Sequence, residues 1–161
     1  MKEMITLYKK VYNGKPWYGK NIMETLDAVP ISKVCQRFGS SYNIGELVHH
    51  MIAWRTYTIH VLKHNQHYEV NQEENFPKID SMSLAAWRDL LETFEASQKE
   101  MQEAISQFDR SWEDAIPDKG YDHKDLIFGV IHHDVYHIGQ INFMAKFLFE
   151  NSEHEVPQTD T

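Results

Sequence analysis

The sequence predicts an all-α domain, a four-helix bundle whose first helix is broken. Apolar residues recur at helical spacing over long segments, and Val, Ile and Thr do not alternate with polar residues over any convincing strand. Turn-forming residues cluster at 13–16, 30–41, 67–83 and 117–122, and they separate the helical segments. Helices of this length in one small domain are typical of a four-helix bundle, whose facing side chains can build a site in the core.

The bounds of the first two helices are predicted from helix-breaking and capping residues. Helix one is predicted over Met1–Tyr12, is interrupted by NGKPWYG, and resumes over Gly19–Ala28, ahead of Pro30. Helix two is predicted from about Asn43 to about Gln66, with Ser41 or Asn43 as its N-cap.

The second half of the chain supplies two more helices. Helix three is predicted from Ser83, a candidate N-cap, to about Asp109, and helix four from about Asp122 to Glu150. The connection at 67–83 is long enough to cross the end of a bundle. We therefore expect one domain over residues 1–150, followed by a polar tail at 151–161.

Composition excludes several classes of protein. The chain has 161 residues, a net charge of −8 and 42% hydrophobic residues, which suits one folded domain and argues against nucleic acid as a partner. No apolar run is long enough to span a bilayer, so no membrane partner is expected. The single cysteine, Cys35, cannot form an internal disulfide, and this favours a reducing, cytoplasmic location.

Ten histidines are unusually many for a chain of this size, and helical phase sorts them. On helix two, His50 falls in the middle of an apolar face, whereas His49, His60 and His64 fall on other faces. That apolar face consists of Leu47, Met51, Trp54, Thr58 and Val61.

On helix four, His133 and His137 lie within the apolar face, and His132 points away from it. The face consists of Val130, Ile141, Met144 and Leu148. The spacing of four residues places both imidazoles on successive turns, where they can hold one metal ion. The remaining three histidines are predicted in or beside loops: His67, His123 and His154.

Three inward-facing histidines on facing helices predict a metal site formed by His50, His133 and His137. A buried imidazole must satisfy both ring nitrogens, and one shared divalent ion satisfies all three rings together. Three histidines without cysteine suit Zn²⁺, Ni²⁺ or another borderline first-row ion and disfavour Mg²⁺ and Ca²⁺. Three protein ligands leave a position open for water or substrate. The structural alternative is a hydrogen-bonded polar cluster without metal.

Other candidate residues carry weaker signals. Asp134 follows His133 and is a weak candidate for a general base, although a carboxylate paired with a neighbouring helix explains it equally well. His60, His64 and His67 have ligand-like spacing but lie on a polar face, and Cys35 lies far from any histidine motif. A second metal site and a catalytic thiol are therefore disfavoured.

Helix four is also apolar on its outer side, where the aromatic residues Phe128, Tyr136, Phe143 and Phe147 form a stripe. A helix that is apolar nearly all round is buried on both sides. It either sits centrally in the bundle or forms a homodimer interface, and we favour the dimer.

Two segments resemble the DinB/YfiT-like family of helical-bundle metalloproteins. NIGELVHHMIAW at 43–54 is similar to the family's helix-two pattern, in which a ligand histidine precedes Trp by four residues. GVIHHDVYHIGQI at 129–141 resembles its closing HDxYHxGQ pattern. The matching ligands are His50, His133 and His137, the same three that helical phase selects.

The resemblance implies a four-helix bundle with up-down-down-up topology, a three-histidine metal site at one end, and often a homodimer. It also implies two activities, because some relatives are regarded as metal-dependent hydrolases and others as S-transferases of low-molecular-weight thiols such as bacillithiol, mycothiol or glutathione. We therefore expect a metal-dependent enzyme acting on a small molecule. The alternative is a metal-binding, stress-associated or dimerisation module without catalysis.

Overall fold

The computed structural model describes residues 2–37, 39–65 and 67–150, with side chains except those of residues 2 and 148–150. These residues form helices and, apart from one isolated bridge between Ala115 and Asp122, no strand pairing. The all-α prediction is confirmed. The helices are α1 (Lys2–Tyr12), α2 (Ile22–Asp27), α3 (Ile31–Val34), α4 (Ile44–Leu62), α5 (Gln72–Asn75), α6 (Leu84–Gln107) and α7 (His123–Glu150).

The breaks in the chain differ in detail from those predicted. The first helix is broken where predicted, into α1 and α2, but α2 begins at Ile22 rather than at Gly19. The short helices α3 and α5 form within segments predicted as connections. Helix α4 ends at Leu62 rather than near Gln66, because His64 adopts a left-handed backbone conformation with φ of 65°. Gln66, the predicted tail at 151–161 and the side chain of Leu148 lie outside the described residues.

The start of α4 is tied to the segment that carries α5. Asn43, one of the two predicted caps, forms a capping box with Glu46. The Asn43 side chain also donates to the carbonyl of Ile79 at 2.6 Å, and Glu46 accepts from the Ile79 N–H at 3.0 Å. These bonds hold the 71–82 segment beside the first turns of α4. Ser83 caps α6, as predicted.

The core lies where α4 packs against α6 and α7, and α1 packs against α6 and α7. The faces predicted to be buried are confirmed with one exception, Trp54, which is 36% exposed. The confirmed positions are Leu47, Met51, Thr58, Val61, Val130, Ile141 and Met144. Among the described residues, we found no helix long and apolar enough to cross a membrane.

Candidate metal centre

The three predicted ligands converge between α4 and α7. Nε2 of His133 lies 2.9 Å from Nε2 of His50 and 3.0 Å from Nε2 of His137. His50 and His137 are buried and His133 is half-buried. Within the described residues, this is the group of histidine, cysteine or carboxylate side chains that could hold a metal ion, with its ligand atoms all within 4.8 Å of one another.

Side-chain amides fix the orientation of two of these rings. Nδ1 of His50 faces Oδ1 of Asn75 at 2.6 Å, and Nδ1 of His137 faces Oε1 of Gln140 at 2.7 Å. An amide oxygen accepts only, so each Nδ1 carries the proton and donates it. The Nε2 atoms of His50 and His137 therefore keep their lone pairs, the form in which histidine binds a metal.

The donor set fits a cation better than a hydrogen-bonded cluster. A hydrogen bond is close to linear, so a proton on Nε2 of His133 can point to only one of the two Nε2 lone pairs, of His50 and of His137, that face it. Nδ1 of His133 is itself buried with no partner among the described residues. A cation bound by the three Nε2 atoms satisfies all of the converging lone pairs at once.

The electrostatic surroundings keep the three imidazoles neutral. Burial lowers the pKa of His50 and of His137, even though the hydrogen bonds to Asn75 and Gln140 act in the opposite direction. Burial, together with the neighbouring His137, His50 and Arg55, lowers the pKa of His133 to about 3. Neutral imidazole is the state that metal ligation requires, so at neutral pH the three histidines are in the protonation state that binds a metal.

Phe76, from the segment after α4, covers the His50 ring and is itself covered by Tyr42. The Phe76 ring stacks on the His50 ring with a centroid separation of 4.1 Å, and Tyr42 stacks on Phe76 at 3.7 Å. Sequence reasoning missed Asn75 and Phe76, because both lie in a polar stretch without periodicity. Gln140 could have been predicted as a partner of His137, because it lies three residues after His137 in the HDxYHxGQ pattern and so on the same side of the helix.

Asp134 points into the core rather than toward the three histidines. It is fully buried, and its Oδ2 accepts hydrogen bonds from Nε and Nη2 of Arg55 at 2.9 and 2.7 Å. Arg55 also donates to the carbonyl and hydroxyl oxygens of Phe94 and Ser97, each at 3.2 Å. These contacts favour the pairing of Asp134 with a neighbouring helix over a role as a general base.

The other histidines are dispersed. His60 stacks on Tyr68 at 4.0 Å, and His64 bonds to the Asp109 carboxylate at 2.8 Å, so they face different neighbours. His123, which the sequence places beside a loop, is buried at the first residue of α7 and bonds to the Asp114 carbonyl at 2.7 Å. Burial raises the pKa of the Cys35 thiol, the opposite of what a reactive cysteine needs.

The geometry defines an all-α protein with a three-histidine candidate metal centre between two long helices. The family model described as the DinB superfamily matches residues 20–141, a span that includes all three histidines. The chain therefore belongs to the DinB superfamily. No curated protein and no solved structure matches it.

Proposed function

We propose that the protein is a metal-dependent enzyme that binds one divalent transition metal, Zn²⁺ or Ni²⁺, through His50, His133 and His137. The convergence of three neutral Nε2 atoms carries this proposal. Structural zinc sites are normally closed by four protein ligands, whereas catalytic sites keep a position open. The metal centre adjoins a pocket open to solvent on the side of His133, and this supports the catalytic type.

Residues around such a site would orient the ligands and position the helices that carry them. Bound metal supplies Lewis acidity, which lowers the pKa of a coordinated water or thiol. Asn75 and Gln140 hold the rings of His50 and His137 in the tautomer that offers Nε2. Arg55 and Asp134 act as positioning residues, because their ion pair joins α4 to α7 next to the ligands. The two versions of the reaction, hydrolysis and transfer of a low-molecular-weight thiol, would differ in whether water or the thiol is the nucleophile that the metal activates.

Elemental analysis of protein purified without a histidine tag tests the metal site. We expect about one metal ion per chain in the wild type and a large loss in His137→Ala. His132→Ala is the matched control, since His132 lies on the same helix but is exposed and faces away from the cluster. Equal metal content in wild type and His137→Ala would contradict the proposal.

Turnover assays then separate an enzyme from a metal-binding module. We expect the metal-loaded wild type to convert at least one member of a panel of esters, amides and thiol–electrophile pairs, and we expect chelation to stop the reaction. A protein that holds its metal tightly but converts nothing from the panel would instead be the non-catalytic module.

We further propose an up-down-down-up arrangement of α1, α4, α6 and α7 and a homodimer that uses the outer face of α7. Tyr136 and Phe143 on this face are 62% and 58% exposed, which is high for aromatic side chains. Light scattering tests the dimer. Tyr136→Ser combined with Phe143→Ser is expected to give a monomer, and an unchanged mass would locate any dimer contact elsewhere.

A further inference from the structure

An open pocket of about 400 Å³ lies between α4 and α7 and is lined in part by His133, one of the three proposed metal ligands. This volume falls in the range of small-molecule sites, about 300–1,000 Å³. Its walls are mainly apolar and aromatic, and they are built by Trp54, Tyr121, Leu126, Gly129, Val130 and His133. The exposure of Trp54 is explained by this pocket, because its ring forms a wall and not part of the core.

His133 connects the pocket to the proposed metal. Its ring lines the pocket, and its Nε2 is the central atom of the three-histidine cluster. Gly129 lies one helical turn before His133, and a Cβ built on it meets no atom within 4 Å. The missing side chain of Gly129 therefore leaves the space beside the ligand ring open.

The polar groups of the pocket are few, and the charged one is acidic. Asp125 is the one charged side chain among the lining residues. The Thr58 hydroxyl donates to the Trp54 carbonyl at 2.9 Å, and the Tyr121 hydroxyl faces that of Tyr57 at 3.4 Å. Burial and the hydrogen bond with Tyr57 raise the pKa of Tyr121 to about 12, so this hydroxyl stays uncharged at neutral pH.

Asp125 and His133, one of the proposed metal ligands, both line the pocket from α7. Asp125 precedes His133 by two helical turns, a rise of roughly 12 Å along α7. Asp125 lines the same pocket as the aromatic side chains of Trp54 and Tyr121, and a carboxylate there attracts a cation and repels an anion. Lys119 lies 5.9 Å from the Tyr57 ring centroid but does not line the pocket.

We propose that this pocket binds a small amphipathic cation, whose apolar body lies between Trp54 and Gly129, whose ammonium group faces Asp125, and whose reactive end reaches the metal centre. The position of the reactive end rests on the proposed function. The binding of the apolar body and of the cation rests on the pocket alone.

The test uses three probes with one body and different charges: 4-phenylbutyltrimethylammonium, 4-phenylbutanol and 4-phenylbutanesulfonate. The quaternary ammonium cannot ligate a metal, so its binding reports the pocket. Calorimetric titration of the metal-free full chain is expected to show the cation binding about tenfold tighter than the sulfonate, with the alcohol between them. The comparison of charges uses the metal-free form because a sulfonate can itself ligate an open position on zinc.

Two variants locate the binding. Gly129→Leu is expected to weaken all three probes by about tenfold or more by filling the pocket, while Gly139→Leu, at the other helical glycine of α7 whose Cβ meets nothing within 4 Å, leaves them unchanged. Asp125→Asn is expected to remove the preference for the cation and to leave the alcohol unaffected. Thermal melts confirm that each variant is folded.

The outcomes keep the two proposals apart. Tight binding of the sulfonate to the metal-free chain, or unchanged binding in both Gly129→Leu and Asp125→Asn, would overturn the pocket assignment even if the protein takes up zinc when it is supplied. The expected pattern of probe binding in a protein that takes up no metal would support the pocket and overturn the proposed metal-dependent reaction.

Discussion

Arg55 on α4 donates hydrogen bonds from both Nε and Nη2 to a single oxygen of Asp134 on α7. Both side chains are fully buried, and the Arg55 guanidinium also lies 3.8 Å from the centroid of the Phe94 ring. Asp134 is the neighbour of His133 in the chain, and Arg55 follows His50 by five residues. The pair therefore joins the two helices that carry the three proposed ligands.

Neutralising Asp134 is expected to destabilise the fold strongly. Asp134→Asn leaves the Arg55 cation buried without a counter-charge, and breaking a buried pair in this way costs about 3–5 kcal/mol. Urea denaturation at pH 7 measures the loss. The control is the double variant Arg55→Met with Asp134→Leu, which removes both charges and is expected to recover most of the stability.

The same variant discriminates between the two interpretations of Asp134. If Asp134→Asn keeps wild-type stability and metal content but loses turnover, the carboxylate acts as a general base and our positioning assignment is wrong.

Removing an amide that orients a ligand is expected to weaken metal binding without abolishing it. Gln140→Ala deprives Nδ1 of His137 of its acceptor, and loss of such a partner typically costs about 10–100-fold in metal affinity. Competition with a chromophoric chelator measures the affinity. Gln140→Glu is expected to restore binding, because a carboxylate also accepts from Nδ1.

Asn142→Ala provides the matched control for Gln140→Ala. Asn142 is an exposed amide on the same helix, two residues further along. An equal loss of affinity in Asn142→Ala and Gln140→Ala would mean that the effect is general to this part of α7.

Metal is expected to stabilise the folded chain, because the three ligands come together only in the folded state. At a free metal concentration 100 times the dissociation constant, the gain is about 2.7 kcal/mol. For a chain of this length, each kcal/mol raises the melting temperature by about 2–4 °C. Thermal melts with zinc and with chelator measure this shift, which His133→Ala should remove. Identical melts for the wild type under both conditions would favour the metal-free polar cluster.

The proposed ligands could be found from the sequence because α4 and α7 are long, regular helices. In such helices an advance of about 100° per residue assigns each side chain to a face, and this selected His50, His133 and His137 over His49 and His132. The same argument failed at Trp54. Helical phase gives the direction of a side chain but does not reveal that the neighbouring space is a pocket.

Other features depend on contacts that leave no local pattern. Arginine is rarely fully buried, so the sequence around Arg55 does not predict that its side chain lies in the core. Its burial depends on pairing with Asp134, which is 79 residues away in sequence. Asn75 reaches His50 from a segment that the bonds of Asn43 and Glu46 to Ile79 tie to the start of α4. Tertiary contacts of this kind between distant segments cannot be read from periodicity.

Glu46 is expected to give the fold a pH-dependent contribution at acid pH. Burial raises its pKa, but hydrogen bonds from Arg37 and from the N–H groups of Ile79 and Asn43 outweigh this effect and lower the pKa overall. A carboxyl whose pKa is lower in the folded state stabilises the fold above its unfolded pKa, about 4.3 for glutamate. That contribution is lost as the pH falls through the lower, folded value.

Glu46→Gln keeps a capping side chain but removes the charge, so it should lower the free energy of unfolding by about 1.5–3 kcal/mol at pH 7. The difference between wild type and variant should shrink below about pH 4. Urea denaturation between pH 7 and pH 3 measures it. Glu24→Gln is the control, because Glu24 forms the same capping box at α2 but, among the described residues, no ion pair with a cation. A constant difference across the pH range would show that Glu46 acts through its shape alone. In that case the charge would not be what holds the 71–82 segment, with Asn75, against the candidate metal centre.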